Sequence, residues 1–444
     1  MIQGNKAQKH DFLDSGASSI VLLFLHPHRV NDLKNWLESV ALAKELNILV
    51  LVSNRTIDQM DALLNTSHQI TWFNIETEEP DYAESTAKSS IILLSQEFKR
   101  SYSFFKNRYR VAQKLLTNHK GTVLVTYDDR MPSVLPILKA CYDLTIPVFL
   151  PAILTTQPDI NATTANTLKP KRKIESFIAW LAKKKFPHHV NQDGRLFYNP
   201  LAYLVLLLFN SVPPRPWVKG TIRYTTKLGV ESKLAHKKLV AAGANPENLI
   251  ITGMPVYDLM DFSRQDKLEK NTLLCALPQY GEHGAMKVDD ALLIVEEILR
   301  AFTTFSGDVV ISLHPRMDPK IYQPLIEKQG FYCVVGNIDV WLKKATLFFA
   351  ASSSTTIYSS LIMGIPTIAL NHVFPSSNVF RDFKSITYIE NSPKEIIAVI
   401  DQPKAGLEEQ IKNDQQLLSS SLVTDGKCGA RNLNVIRCLL KGSF

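Results

Sequence analysis

Five consecutive hydroxyl side chains, Ser352, Ser353, Ser354, Thr355 and Thr356, follow the apolar run Thr346–Ala351 and precede a short helical pattern that closes at Gly364-Ile-Pro366. The opening turn of a helix leaves backbone N–H groups without partners, so hydroxyls placed there suit an oxyanion, a phosphate or pyrophosphate above all. Serine and threonine in that position also serve simply as helix caps, and the two roles stay open. A second group closes the apolar run Val309–Leu313 with Ser312-Leu-His-Pro-Arg316. His314 can hydrogen-bond a phosphate or protonate a leaving group, and Arg316 can clamp phosphate oxygens. A histidine on such a rim can also do no more than fasten a loop.

Tyr127-Asp-Asp-Arg130 closes a third run, Thr122–Tyr127. Asp128 or Asp129 can deprotonate an acceptor hydroxyl, and neighbouring acids raise one another's pKa toward the range a base needs near neutral pH. Either can equally cap the helix expected from about Pro132, and both roles can hold at once. Gln279-Tyr-Gly-Glu-His-Gly284 follows the run Leu273–Leu277. Its glycines permit close backbone approach to a ligand, and Glu282 and His283 can bind a ribose or assist proton transfer. The same residues also make an ordinary polar loop. Thr252–Asp258, with Gly253 and Pro255, reads as a hinge between domains.

These groups need strands and helices to hold them. Near-continuous apolar runs at Ile20–Leu25, Ile48–Ser53, Ile70–Asn74, Thr122–Tyr127 and Pro147–Pro151 alternate with helical patterns around Asp32–Leu46, Phe98–His119 and Ser133–Leu144. The rhythm resumes with strands at Leu249–Thr252, Leu273–Leu277, Val309–Leu313, Tyr332–Val335, Leu347–Ala351 and Thr367–Leu370. Helices are expected at Asp289–Phe305, Lys320–Lys328, Ile338–Lys344 and Ala430–Leu440. Strand–helix alternation of this kind predicts parallel sheets covered on both faces. A chain of 444 residues exceeds one ordinary core. The pattern therefore predicts an α/β protein of two Rossmann-like domains facing each other across a cleft formed by the carboxyl ends of both sheets.

Composition narrows the class. The chain is 45% hydrophobic and 21% charged, as a folded globular protein is. Its five cysteines are scattered and lack metal spacing, which points to a reducing compartment and away from a disulfide framework or zinc site. No His, Cys, Asp or Glu constellation is convincing as a metal site, so metal-free chemistry without a cofactor is expected. The polar start of the chain and the shortness of Ile20–Leu25 predict no signal peptide, and no run has the roughly 18 apolar residues of a membrane span. A net charge of +8 admits anionic partners without choosing one.

Residues 168–220 interrupt the alternation. Lys169–Lys185 carries seven basic residues against the single acid Glu175, with Ile174, Phe177, Ile178 and Leu181 at helical spacing and Trp180 beside them. Leu196–Phe209 is strongly apolar, and Val212-Pro-Pro-Arg-Pro-Trp217 is a rigid turn. A basic amphipathic helix before a greasy segment predicts contact with an anionic membrane surface through 169–217. The other reading is an insertion packed on its own domain with solvated lysines. Nucleic acid is not expected, because the basic cluster is interleaved with apolar residues rather than a stacking surface.

Several segments together resemble the GT-B superfamily of nucleotide-sugar enzymes. The stretch Val123–Pro151 is similar to a segment of bacterial UDP-N-acetylglucosamine 2-epimerases in which a strand ends in Asp-Arg before a helix. The motifs at 239–258, 314–316, 352–356, 364–366 and 425–432 follow in the same order. The resemblance covers roughly 120–160 and 225–440. Those epimerases carry an acidic phosphate turn, whereas this chain reads SSSTTIYSS there. The His-Pro motif followed by a Ser/Thr turn looks more like bacterial sialyl- and polysialyltransferases. CDP-glycerol phosphotransferases of teichoic acid synthesis share these turns.

The resemblance implies a GT-B glycosyltransferase, metal-independent, moving a sugar from a nucleotide-sugar donor to a bacterial surface glycan or lipid-linked acceptor. It implies an acceptor domain at 1–255 (insertion 169–220), a nucleotide-sugar domain at 256–429 and a terminal helix at 430–444. Asp128, Asp129 and His314 are the expected catalytic residues. Arg130, Glu282, His283, Arg316 and Ser352–Thr356 are the expected substrate-binding ones. The expected location is the cytoplasm, peripheral to the inner face of the plasma membrane. The rival expectations are a 2-epimerase-like isomerase, a CDP-polyol phosphotransferase and a non-catalytic scaffold that binds nucleotide-sugar.

Overall fold

Apolar runs that cannot face water on either side require a sheet buried on both faces, and two such sheets form. The computed structural model describes residues 19–24, 36–38, 47–52, 70–75, 91–117, 122–153, 173–191, 194–260, 262, 271–282, 286–314, 317–336, 338–371, 380–390, 392–401 and 406–442. The first sheet contains β1 (Ser19–Phe24), β2 (Asn47–Val52), β3 (Ile70–Asn74), β4 (Thr122–Thr126), β5 (Val148–Leu150), β6 (Lys227–Val230) and β7 (Leu249–Ile251). Its seven strands run in the order β3-β2-β1-β4-β5-β6-β7, every pair parallel. The helices along this part of the chain are α1 (Ile91–Thr117), α2 (Leu135–Asp143), α3 (Lys173–Lys185), α4 (Pro200–Leu208), α5 (Lys233–Ala241) and α6 (Val256–Leu259).

The second sheet takes β8 (Thr272–Ala276), β9 (Asp308–Leu313), β10 (Tyr332–Val335), β11 (Leu347–Ala351), β12 (Thr367–Leu370) and β13 (Ile386–Ile389). Its order is β10-β9-β8-β11-β12-β13, again parallel throughout. Between and after these strands lie α7 (Val288–Phe302), α8 (Pro319–Lys328), α9 (Ile338–Leu342), α10 (Thr356–Ile362), α11 (Ile396–Val399), α12 (Leu407–Ser421) and α13 (Cys428–Leu440). The apolar stripe of α7 (Ala291, Val295, Ile298, Leu299, Phe302) buries itself against Cys275, Ile311 and Phe349 of the sheet. Phe302 meets Phe349 edge to face at 5.1 Å, an arrangement worth about 1 kcal/mol beyond its buried area.

The strands β6 and β13 and the helices α5 and α12 were not expected from the sequence. β6 is a four-residue strand interrupted by Gly229, and α12 is too polar to announce a buried face. The helix expected at Asp32–Leu46 is described only at 36–38, where Trp36 and Leu37 are buried.

The described residues form two compact units, the first within 1–158, 171–259 and 423–444, the second within 260–422. The division falls after 259, against the expected 255, and the terminal helix belongs to the first unit. α13 lays Leu433, Val435, Ile436 and Leu439 on the core of Ile20, Leu22, Val123 and Val125. Its start is fastened by α6, whose Asp258 carboxylate accepts the amides of Cys428 at 3.0 Å and Gly429 at 2.6 Å. A carboxylate there answers two of the unpaired N–H groups and the positive end of the helix at once. Asp258→Ala is expected to destabilise the first unit by about 1–2 kcal/mol, read by urea unfolding of the intact chain.

Candidate functional site

In a parallel sheet all strands deliver their carboxyl ends to one edge, and a crevice opens where the strand order reverses. In the second sheet that reversal lies between β8 and β11. The loop after β8 carries Gln279–Glu282, and the turn after β11 carries Ser352–Thr356. His314 follows β9, the strand on the other side of β8. Two expected groups thus flank the reversal and a third lies one strand away. His283 and Arg316 lie outside the described residues.

The hydroxyl turn is not a helix cap. α10 begins at Thr356 with Thr355 as its flanking residue, in helical geometry and without a side-chain cap bond. The buried Ser352 instead donates to Asn371 Oδ1 at 2.7 Å, from the end of β12. Asn371 Nδ2 donates to Glu390 Oε2 at 2.7 Å, and Glu390 Oε1 pairs with Arg381 at 2.5 Å. Arg381 lies over the ring of Tyr388, 4.0 Å from its centroid. Burial pushes the Glu390 carboxyl up, but its bonds from Asn371 and Arg381 outweigh that and hold it below the usual range. The polar chain fixes the turn across three strands. Ser353, Ser354 and Thr356 stay half-buried and Thr355 exposed. The amide of Ser352 is used by Leu370 O and that of Ser354 by Ala351 O, leaving those of Ser353, Thr355 and Thr356 as the ones an anion would meet. At seven residues α10 adds little dipole, so these local donors matter most. Gly364 closes the helix as expected: at φ +65°, its amide bonds Leu361 O and that of Ile365 bonds Ser360 O.

Glu282 accepts the hydroxyl of Tyr322 at 2.5 Å through Oε1, while its buried Oε2 has no partner among the described residues. An unanswered buried carboxylate oxygen costs energy unless a ligand or water completes it. Asn371, Glu390 and Arg381 were missed in the sequence, since polar residues scattered over 371–390 form no local motif. The only available signal was that Asn371 and Glu390 each directly follow an apolar run.

In the first sheet the order reverses between β1 and β4, and Tyr127–Arg130 follows β4. There Asp128 and Arg130 hold each other and the chain that returns to β6. Asp128 Oδ1 accepts the amides of Arg130 at 2.7 Å and Met131 at 3.2 Å, and its Oδ2 pairs with the Arg130 guanidinium at 2.8 Å and Lys219 at 3.8 Å. Burial raises its pKa, but Arg130 and Lys219 outweigh that and hold it at about 2. Arg130, expected to meet substrate, is 7% exposed and gives its other donor to Trp217 O at 3.1 Å. Asp129 is fully buried, and its Oδ2 accepts from Gly220 N and Thr225 Oγ1, both at 2.8 Å. Burial and the adjacent Asp128 raise its pKa. Both acids thereby pin the return of the long 151–226 crossover to β6. Asp129 Oδ1, Tyr198 Oη and Trp217 Nε1 are buried without partners among the described residues.

Elsewhere, a groove of about 490 Å³ opens at the amino ends of β4 and β5, lined by Thr122, Pro147 and Leu439 among others, and contains none of the expected site residues. Among the described residues no group of three or more His, Cys, Asp or Glu side chains is placed to hold a metal, and no helix is long and apolar enough to cross a membrane.

No protein-family model matches the sequence, and no curated protein matches it significantly. Solved structures do match the fold. The calicheamicin glycosyltransferase CalG4 is 12% identical over 96% of this chain and 99% of its own, with a TM-score of 0.57. UGT2 of Phytolacca americana, complexed with UDP-2fluoro-glucose and pterostilbene, is 12% identical over 95% and 99%, at 0.57. The UDP-GlcNAc 2-epimerase of Neisseria meningitidis, bound to UDP-GlcNAc, is 11% identical over 95% and 100%, at 0.50. The chain has the two-domain α/β GT-B fold of these proteins.

The two neighbouring acids should separate in stability measurements. Asp128→Asn leaves Arg130 buried without its counter-charge and is expected to cost about 3 kcal/mol at neutral pH, whereas Asp129→Asn keeps both accepted bonds and should cost less than about 1 kcal/mol. Because the folded pKa of Asp128 lies below its ordinary 3.8, its contribution is complete above that value and is lost as the pH falls through about 2. Asp129, shifted the other way, favours the fold most when protonated and contributes less as the pH rises through its folded pKa. Urea unfolding of both variants against pH reads all of these effects; equal costs at neutral pH would remove the distinction.

Proposed function

We propose that the chain is a GT-B glycosyltransferase whose second unit binds the diphosphate of a nucleotide-sugar donor at the carboxyl edge of its sheet. The observation that carries this reading is the hydroxyl turn at the strand-order reversal, braced by Ser352, Asn371, Glu390 and Arg381 and flanked by the loop that carries Glu282. Ser353, Thr355 and Thr356 offer N–H and O–H donors to the phosphate oxygens, and a braced turn presents them without reorganisation, which is how developing charge on a leaving phosphate is best stabilised. His314 hydrogen-bonds or protonates that phosphate, and Glu282 Oε2 takes a ribose hydroxyl. Arg316 and His283 complete the expected donor set. The acceptor is a surface glycan or lipid-linked sugar.

An isomerase acting on the nucleotide-sugar alone is the second reading. It is favoured by Glu390, which reaches the turn through Asn371 and supplies a carboxylate that the turn's own sequence omits. The two readings part on one assay: an isomerase releases altered sugar from donor alone, and a transferase needs an acceptor.

Two outcomes are expected. Calorimetric titration with CMP, CDP, UDP and GDP should show selective binding of one nucleotide, and Thr355→Glu should weaken it at least about tenfold by setting a carboxylate against the phosphate. An unaltered affinity would remove the turn from the site. His314→Ala should lower turnover by about 10²–10⁴-fold, with a smaller loss of nucleotide affinity.

A further inference from the structure

The basic segment before α4 separates into parts with different surroundings. α4 is a core helix. Asn199 caps it by accepting from Leu201 N, and Leu201, Ala202, Tyr203, Val205 and Leu206 are buried. Phe209, just beyond it, stacks on Phe105 of α1 at 4.2 Å. The greasy stretch Leu196–Phe209 is therefore largely packed within its own unit, with only Leu208 mostly exposed, at 67%.

α3 differs. Its inner side, Ile178, Ala179 and Ala182, is buried. Its C-terminal end is held to α4 where Phe186 stacks on His189 at 4.9 Å and His189 Nδ1 pairs with Tyr203 Oη at 2.9 Å. The outer side is apolar as well. Phe177, Trp180 and Leu181 are 55%, 51% and 46% exposed. With Lys184 they follow the i, i+3, i+4, i+7 spacing of a single stripe. The sequence had grouped Ile178 with Phe177 and Leu181, but the structure sends them to opposite sides. The two exposed rings stack at 6.1 Å, and the Lys184 ammonium lies over Trp180, 3.9 Å from its centroid. Lys183, Lys184 and Lys185 are all exposed in the last turn.

We propose that α3 docks the protein on an anionic phospholipid bilayer, Phe177, Trp180 and Leu181 entering the headgroup boundary while Lys183, Lys184 and Lys185 meet the lipid phosphates. The inner side of α3 is already packed, and its second apolar stripe of Phe177, Trp180 and Leu181 stays about half exposed among the described residues. An aromatic pair bordered by a lysine cluster matches the chemistry of a negatively charged interface, where Trp sits at headgroup level and Lys extends to the phosphates. The helix is about 20 Å long and lies in the surface plane rather than spanning it. The docking does not depend on the donor reading, so either can fail alone.

The test is co-sedimentation of the full chain with phosphatidylcholine vesicles and with vesicles that also contain phosphatidylglycerol, at low and high salt. Binding is expected only with phosphatidylglycerol, falling with salt. Phe177→Ser with Trp180→Ser, and separately Lys183→Glu with Lys184→Glu, should each lower the partition at least about tenfold with circular dichroism unchanged. Brominated phosphatidylcholine mixed with phosphatidylglycerol should quench tryptophan fluorescence of the unaltered protein and not that of Trp180→Phe. Absence of lipid-dependent sedimentation, retained binding in both double variants, or a dimer in sedimentation velocity that these substitutions abolish would each overturn the proposal, the last in favour of a second copy on this stripe.

Discussion

Parallel pairing is the constraint on which everything else rests. Every strand pair in both sheets is parallel, so no strand can return by a hairpin and each needs a crossover that covers a face. That requirement places helices on the sheets, makes the strands apolar on both sides and gathers all carboxyl ends on one edge. Loops far apart in sequence become neighbours there: Gln279–Glu282 and Ser352–Thr356 are separated by a whole strand–helix–strand excursion through β9 and β10, yet follow adjacent strands. The site is a consequence of the topology before it is a consequence of any one residue.

The same constraint explains the buried ions of the first unit. The crossover from β5 to β6 is the longest in that sheet and must be brought back in register with Phe149 and Leu150. Asp129, gripping Gly220 and Thr225, and Arg130, gripping Trp217 O, supply the fastening. A buried ion pair is a poor source of net stability compared with well-packed hydrocarbon, but removing one partner is costly, so such a cluster specifies one return path over others. In the second unit the analogous polar chain from Ser352 to Arg381 braces the candidate site itself.

Much of this was legible in the sequence because the parallel sheet writes itself as apolar runs. β3, β10, β11 and β12 match the expected limits, and Gly364 marks the end of α10 as a left-handed terminal glycine does. What failed was decided by tertiary contacts. Asp128-Asp129-Arg130 looks like chemistry in the sequence, and its contacts to Lys219, Trp217 and Gly220 were not readable there because those partners lie some ninety residues away. The serines of the turn could meet an oxyanion or serve as caps, and the bond from Ser352 to Asn371 was visible to neither reading. On α3, periodicity finds an apolar helix but cannot tell the packed side from the open one, since both carry large side chains.

The central claim, that the braced hydroxyl turn of the second unit holds a nucleoside diphosphate, is met most directly by amide hydrogen exchange with and without the nucleotide that binds. The account predicts slowed exchange at Ser353, Thr355 and Thr356, with that of Asp128–Arg130 in the first unit unaltered. Protection confined to other segments, with 353–356 exchanging as fast as in the free protein, would contradict it.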